Sequence, residues 1–329
     1  MKRNEPWRNS ANLKGLLVSF NIMSDTNTSG RVRVAGVQML PATGNPEANI
    51  ARADRLVREA VLKHEAQVVV LPECALTGYA APPWNPDVND GMTAKSVPGP
   101  PIPASEAIER PMTLAETREM AETVPGPSVN HFAALAAELH AYIVWTLHER
   151  RGGAFYNSAV LLAPSGEILG TYSKVHINKY ERQMGWTNGD RFLVWPCRVQ
   201  NAAFNLGIMI CYDREVPEAA RCLAMLGADV IVIPQATDCT CEIPIHRDLL
   251  RIRAYENEVC ISMTNWAGPR FKGHSMMIGA NGEVMRLGGH EEEILTAEFD
   301  MNALKNHRAK GIYGRHHRQP GCYGPLLTE

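Results

Sequence analysis

The chain has 329 residues, 45% of them hydrophobic and 21% charged, and a formal net charge of -2 at pH 7. That balance fits a folded globular protein and excludes one drawn electrostatically to nucleic acid or to an anionic membrane surface. No apolar run of about 18 residues occurs, which excludes a transmembrane helix, and the 8 cysteines are too irregularly spaced for a disulfide framework, so a reducing, cytoplasmic setting is expected.

Residues 1–30 carry Lys2, Arg3, Arg8 and Lys14, then only the short apolar run Leu16 to Phe20. Without a longer apolar core and a clear cleavage site they read as a disordered extension rather than a secretory signal, with Met23 as an alternative start. Arg31 to Met39 reads as the first strand. Asn45-Pro46-Glu47 then supplies a cap, a first-turn proline and an early acid, and Ile50, Ala53, Val57, Ala60 and Val61 make one apolar helix face. Gln67 to Leu71 has the continuous apolar character of a strand buried on both sides.

The stretch from Pro82 to Pro127 holds ten of the 22 prolines and reads as an insertion, with a helix inside Ala104 to Glu122. Regular structure resumes with a helix over Val129 to His140 and a strand over Tyr142 to Leu147. Phe155 to Ala163, the turn Pro164-Ser165-Gly166-Glu167 and Ile168 to Val175 come next as a hairpin. Further strands are expected at Asn205 to Ile210, Val230 to Pro234, Cys260 to Asn265 and Ile294 to Asp300. Helices are expected from Pro217 to Met225 and from Ile245 to Asn257, and a hairpin turns at Asn281-Gly282. From Met301 to Glu329 the chain is a basic tail rich in His, Gly and Pro. The expectation is one α/β domain over 31–300 with an insertion at about 82–127 and no internal repeat.

Ligand sites in α/β sheets gather at the carboxyl ends of strands, and three reactive side chains stand just after apolar runs. Glu73 ends Val68-Val69-Val70-Leu71-Pro72; it is either a satisfied structural acid or a general base. Cys211 ends Leu206-Gly207-Ile208-Met209-Ile210; it is either a packed thiol or a nucleophile at a turn whose backbone N–H groups form an oxyanion site. Lys174 ends Ile168 to Ser173; it is either a surface lysine or a fixed positive charge. Together they make a consistent set: a thiol to attack, a base to take its proton, and a cation where negative charge develops. No Gly-x-Ser-x-Gly elbow, phosphate loop or dinucleotide fingerprint competes with them.

Leu71-Pro72-Glu73 with Thr77-Gly78-Tyr79, Tyr172-Ser173-Lys174-Val175-His176, and Cys211-Tyr212-Asp213-Arg214-Glu215-Val216-Pro217-Glu218 together resemble the nitrilase (carbon–nitrogen hydrolase) superfamily. The likeness continues through Gly227-Ala228-Asp229 and Arg253-Ala254-Tyr255-Glu256-Asn257. It implies a four-layer αββα sandwich, a homodimer or higher homo-oligomer, and no metal or organic cofactor. It also implies Glu73 as general base, Lys174 as oxyanion stabiliser, Cys211 as nucleophile and a second glutamate near the lysine; Glu181 is the only carboxylate between Lys174 and Asp190.

The expected reaction is cleavage of a small amide or N-carbamoyl compound through a thioester, with the Tyr212 N–H as second oxyanion donor. Tyr212-Asp213 after the cysteine is more like amidases and carbamoyl hydrolases than like nitrilases, which usually place Trp-Glu there. Arg214 is a candidate partner for a substrate carboxylate or for Glu215 or Glu218, and Tyr79 and Trp186 are candidate pocket walls or core. The insertion reads as a lid, an oligomer contact or a surface excursion. Arg315-His316-His317-Arg318 reads as surface or dimer interface. A nitrile hydrolase, a metal enzyme built on Cys239, Cys241 and His246, and a binding protein on a retired scaffold remain as alternatives.

Overall fold

The computed structural model describes residues 30–79, 112–200, 202–237, 243–311 and 317–327. The N-terminal extension, most of the insertion, Cys239, Cys241, Arg315 and His316 lie outside them. The described residues form β1 (Arg31–Gln38), α1 (Pro46–Leu62), β2 (Val68–Val70), α2 (Leu114–Glu119), α3 (Pro127–Leu139), β3 (Tyr142–Arg151), β4 (Ala154–Leu162) and β5 (Ile168–Ser173). Then come α4 (Lys179–Gln183), β6 (Val194–Val199), β7 (Ala202–Ile208), α5 (Pro217–Met225), β8 (Val230–Pro234), α6 (Ile243–Asn257) and β9 (Cys260–Thr264). The chain closes with α7 (Gly268–Phe271), β10 (Met276–Ile278), β11 (Val284–Leu287), β12 (Glu293–Asp300) and α8 (Met301–Ala309).

Two six-stranded sheets result, in the orders β12-β1-β2-β3-β4-β5 and β11-β10-β9-β8-β7-β6. Alternation along each strand sends its two faces to different cores. Val34, Val68 and Val144 of the first sheet meet Leu206, Val230 and Val232 of the second in the space between them. The opposite faces, with Ala35 and Val69, pack against Val57 of α1 and Phe132 of α3. Ile231 and Ile261 pack against Leu223 of α5 and Leu250 of α6. The layers therefore run helix, sheet, sheet, helix, as the resemblance implies. The central strands are parallel and covered on both faces, so they read as unbroken apolar runs. Among the described residues no helix is long and apolar enough to cross a membrane.

The strand order contains a repeat that residue-by-residue reading misses. In each half a parallel trio (β1, β2, β3 or β7, β8, β9) continues into an antiparallel pair (β4, β5 or β10, β11). An antiparallel strand, β12 or β6, then flanks the first of the trio. Val68-Val69-Val70-Leu71-Pro72-Glu73 thus corresponds to Val230-Ile231-Val232-Ile233-Pro234-Gln235. The two segments share Val68/Val230, Val70/Val232 and Pro72/Pro234 and differ at the last position, Glu73 against Gln235. The two halves meet closely at Gly36 of β1, where an added Cβ would lie 2.6 Å from Thr264 Oγ1 of β9 and 3.2 Å from Met277 Cε of β10.

Four elements are not expected from the sequence: the short helices α4 and α7, strand β6 and helix α8. Strand β6 contains Pro196, which argues against a central strand; β6 lies at the edge of its sheet, where a missing N–H is tolerated. Helix α8 opens the basic tail, with Asp300 Oδ1 accepting the Ala303 N–H at 2.8 Å as its cap. Beyond it, exposed His317 bonds the Gly311 carbonyl at 2.7 Å and Arg318 lies over the Tyr323 ring.

Because overpacking a tight interior costs about 1–3 kcal/mol, Gly36→Val should lower the unfolding free energy by that amount. A urea midpoint equal to that of the unchanged protein would show that the two sheets are not in close contact there.

Candidate active site

Glu73, Lys174 and Cys211 lie just past β2, β5 and β7, and the residues around each fix its backbone. The Glu73 N–H donates to the Gln235 carbonyl at 3.3 Å, and its own carbonyl accepts from Trp266 Nε1 at 2.8 Å, so this loop is tied to the second sheet. The Lys174 N–H donates to the Asn157 carbonyl at 2.8 Å. Its carbonyl accepts the Gly189 N–H at 2.7 Å, an approach open only to glycine: a Cβ there would sit 2.0 Å from the Ser173 carbonyl oxygen. Cys211 begins a short 3₁₀ turn, Cys211–Glu215, at φ +45°. A left-handed conformation in a non-glycine residue costs about 1–3 kcal/mol and persists only where its surroundings impose it.

Lys174 is fully buried with two carboxylates. Its Nζ lies 2.8 Å from Glu73 Oε1 and 2.9 Å from Glu181 Oε1 and Oε2. Asn157 Nδ2 donates to the same two Oε1 atoms, at 2.7 Å for Glu73 and 2.8 Å for Glu181. Glu181 Oε2 also accepts the Asn178 N–H at 2.9 Å within the capping box of α4. Glu73 Oε2 is buried and accepts no bond of ordinary geometry.

Burial pushes the Glu73 carboxyl above its ordinary range; Lys174 pulls it down, Glu181 raises it and the nearby Cys211 thiol pulls it down again. Burial opposes the charge on Lys174, but Glu181 and Glu73 together hold its pKa well above that of a free lysine. Burial also raises the Cys211 thiol, with Glu73 adding to that and Lys174 and Arg214 acting against it. Burial thus favours the neutral thiol over a preformed thiolate at Cys211.

The residues after Cys211 hold it in place. Buried Asp213 accepts from the Ile210 N–H (2.9 Å) and Tyr172 hydroxyl (2.7 Å) through Oδ2, and from the His176 N–H (2.8 Å) through Oδ1. One carboxylate thus clamps the cysteine turn to the segment around Lys174. Buried Arg214 donates from Nη1 to the Cys211 carbonyl at 3.1 Å and to Thr237 Oγ1 at 3.3 Å, and from Nε to His246 Nδ1 at 3.1 Å. Its Nη2 pairs with Glu215 at 3.0 Å. The ion pair with Glu215 is formed, and the guanidinium also braces the turn, with Nη1 3.7 Å from the Cys211 sulfur. Thr237 Oγ1 lies 3.3 Å from the Cys211 sulfur.

Tyr79 is buried, and its hydroxyl accepts from Asn178 Nδ2 at 3.0 Å, beside the cluster. Trp186 is buried and stacks on His148 with ring centroids 4.4 Å apart. Tyr212 is half-buried, and its N–H precedes the first i→i+3 bond of the turn. His246 has both ring nitrogens engaged, by Arg214 and by the Gln235 side chain at 2.9 Å, and burial pushes its pKa down to about 2. Among the described residues no group of three His, Cys, Asp or Glu is placed to hold a metal ion. Asn157, Asp213 and Thr237 join the site without being among the sequence-derived candidates. For Asn157 a signal exists: Asn157-Ser158 is a polar pair inside an otherwise apolar strand.

Residues 33–309 match the family model described as carbon-nitrogen hydrolase. A nitrilase of Pyrococcus abyssi is 32% identical over 288 residues, covering 85% of this chain and 94% of that protein. An omega-amidase of Xenopus laevis is 27% identical over 311 residues, covering 89% and 97%. In fold, a carbon-nitrogen hydrolase from Helicobacter pylori G27 superposes with a TM-score of 0.71 at 24% identity, covering 92% of this chain and 99% of that one. With strand ends that bring a carboxylate, an ammonium and a thiol together, the chain belongs to the carbon–nitrogen hydrolase family of the nitrilase superfamily, hydrolases of C–N bonds other than peptide bonds.

Proposed function

We propose that the protein hydrolyses a small amide or N-carbamoyl compound through a thioester on Cys211. The observation that carries this reading is the one-sided Glu73 carboxylate: Oε1 is held by Lys174 and Asn157, Oε2 has no hydrogen-bond partner, and the Cys211 thiol is close enough to lower the carboxyl pKa. Oε2 takes the thiol proton as sulfur bonds to the substrate carbonyl carbon. The carbonyl electron pair moves to oxygen, where Lys174 Nζ and the Tyr212 N–H meet the charge. Two of the ammonium protons are committed to Glu73 and Glu181, which leaves a third for the oxyanion. When the carbonyl re-forms, the C–N bond breaks and the amine or ammonia leaves with the proton from Glu73. Water then gives a proton to Glu73 and adds to the thioester; the C–S bond breaks, and the thiol recovers its proton. Glu181 keeps the ammonium in place throughout and fixes the position of the water.

Amide over nitrile is supported by Tyr212-Asp213 after the cysteine and by the likeness to an omega-amidase; the likeness to a nitrilase favours the second reading. Paired short aliphatic amides, N-carbamoyl compounds and the matching nitriles, with products measured by mass spectrometry, separate the two. Turnover of the nitriles alone would overturn the amide assignment.

Glu73→Gln keeps shape but removes the base, and a positioned base is worth ~10²–10⁴ in rate. The variant should lose at least ~10²-fold in kcat with an unchanged circular dichroism spectrum. A folded variant of full activity would exclude Glu73 as the base.

The pH dependence has a definite sign. Glu73 must be ionised to act, and burial raises its pKa, so kcat/KM should fall with acid at a midpoint above that of an ordinary carboxylate. An acid limb at or below that ordinary value would contradict the buried-base account.

A further inference from the structure

We infer that Asn157 is a positioning residue that confines the proton chemistry of Glu73 to its Oε2 atom, an inference that rests on Glu73 being the base. Asn157 Nδ2 and Lys174 Nζ each reach Glu73 Oε1 and Glu181 Oε1, at 2.7 to 2.9 Å. Two nitrogens and two oxygens close a four-cornered arrangement in which every edge is a hydrogen bond. A carboxylate oxygen offers about two lone-pair directions, so Oε1 of Glu73 is filled. Turning the carboxylate over would break both bonds at once. The bare Oε2 is therefore held at one place, and a proton can arrive or leave only there.

The amide is oriented as firmly as the carboxylate. A flip would set Asn157 Oδ1 against two carboxylate oxygens and cost two charge-assisted bonds. On its far side Oδ1 lies 3.6 Å from the Cys74 sulfur. That thiol is 3.1 Å from His148 Nε2, and the opposite ring nitrogen, Nδ1, is 2.9 Å from Thr77 Oγ1. The Thr77 hydroxyl also donates to the Gly78 carbonyl at 2.9 Å, and the Cys74 thiol donates toward Asn157 Oδ1. Burial keeps this histidine neutral, with a pKa of about 3. The neutral set Thr77, His148 and Cys74 backs Asn157 from the side away from the charges. Asn157 stands directly opposite His148 in the β3–β4 register, and its carbonyl accepts the Lys174 N–H. One residue thus sets both the base and the cation.

Iodoacetamide alkylation of Cys211, measured site by site with peptide mass spectrometry across pH, tests this without knowledge of the substrate. Loss of a hydrogen bond to the charged form raises a carboxyl pKa. The acid limb of Cys211 alkylation should therefore move up by about one pH unit in Asn157→Leu, and at least as far in Asn157→Asp, which adds a third carboxyl to the cluster. Exposed Cys222 and Cys322 serve as references in the same samples. Limbs that superimpose on the unchanged protein would overturn the inference. So would labelling of buried Cys74 and Cys197 in both variants, since Asn157 would then matter only for folding. In Glu73→Gln the limb should vanish. If it persists there, the reading of Glu73 as base fails; if it vanishes there but stays fixed in the Asn157 variants, only the role of Asn157 fails.

Discussion

A single ammonium, sealed from water between two carboxylates, is the constraint to which the rest of this site answers. Lys174 is fully buried, and so is Glu73. Removing one partner of such a buried pair leaves an uncompensated charge and costs about 3–5 kcal/mol. The ion pairs therefore hold Glu73, Glu181 and Lys174 at fixed separation. The carboxylates outnumber the ammonium, so burial and mutual repulsion push Glu73 toward protonation.

The fold brings these charges to the thiol by joining two topologically equivalent halves. The acid and lysine come from the first sheet, and the cysteine comes from the second. Glu73 is bonded through its backbone to Gln235, the residue that corresponds to it in the other half. Trp266 and Asp213 add bonds across the same joint. The left-handed Cys211 is held by Asp213 on the Ile210 N–H and by Arg214 on its own carbonyl. Several independent bonds thus fix the turn, which is how a strained residue persists in a folded chain.

Much of this is legible in the sequence because buried parallel strands write themselves as apolar runs. Val68 to Leu71 and Leu206 to Ile210 are such runs, and a reactive side chain just beyond each, Glu73 or Cys211, stands out against them. Glu181 is reached only through the family likeness and by being the one carboxylate between Lys174 and Asp190. Arg214 is open to a substrate role in the sequence because its partners His246 and Thr237 are distant in the chain, and no local spacing shows a side chain turned inward. Asn157 escapes notice because its carboxylate partners, Glu73 and Glu181, lie far from β4 in the chain. Strand β6 is hidden by Pro196, whose cost vanishes at a sheet edge, and α8 by the basic composition of the tail beyond its Asp300 cap.

The most direct test of the central claim is covalent. The protein should be mixed with short aliphatic amides and N-carbamoyl compounds, quenched in acid within a turnover and digested for peptide mass spectrometry. The account predicts an acyl or carbamoyl mass on Cys211, absent from Cys74, its buried neighbour. Turnover with Cys211 unmodified throughout the time course, or an adduct on another residue, would contradict it.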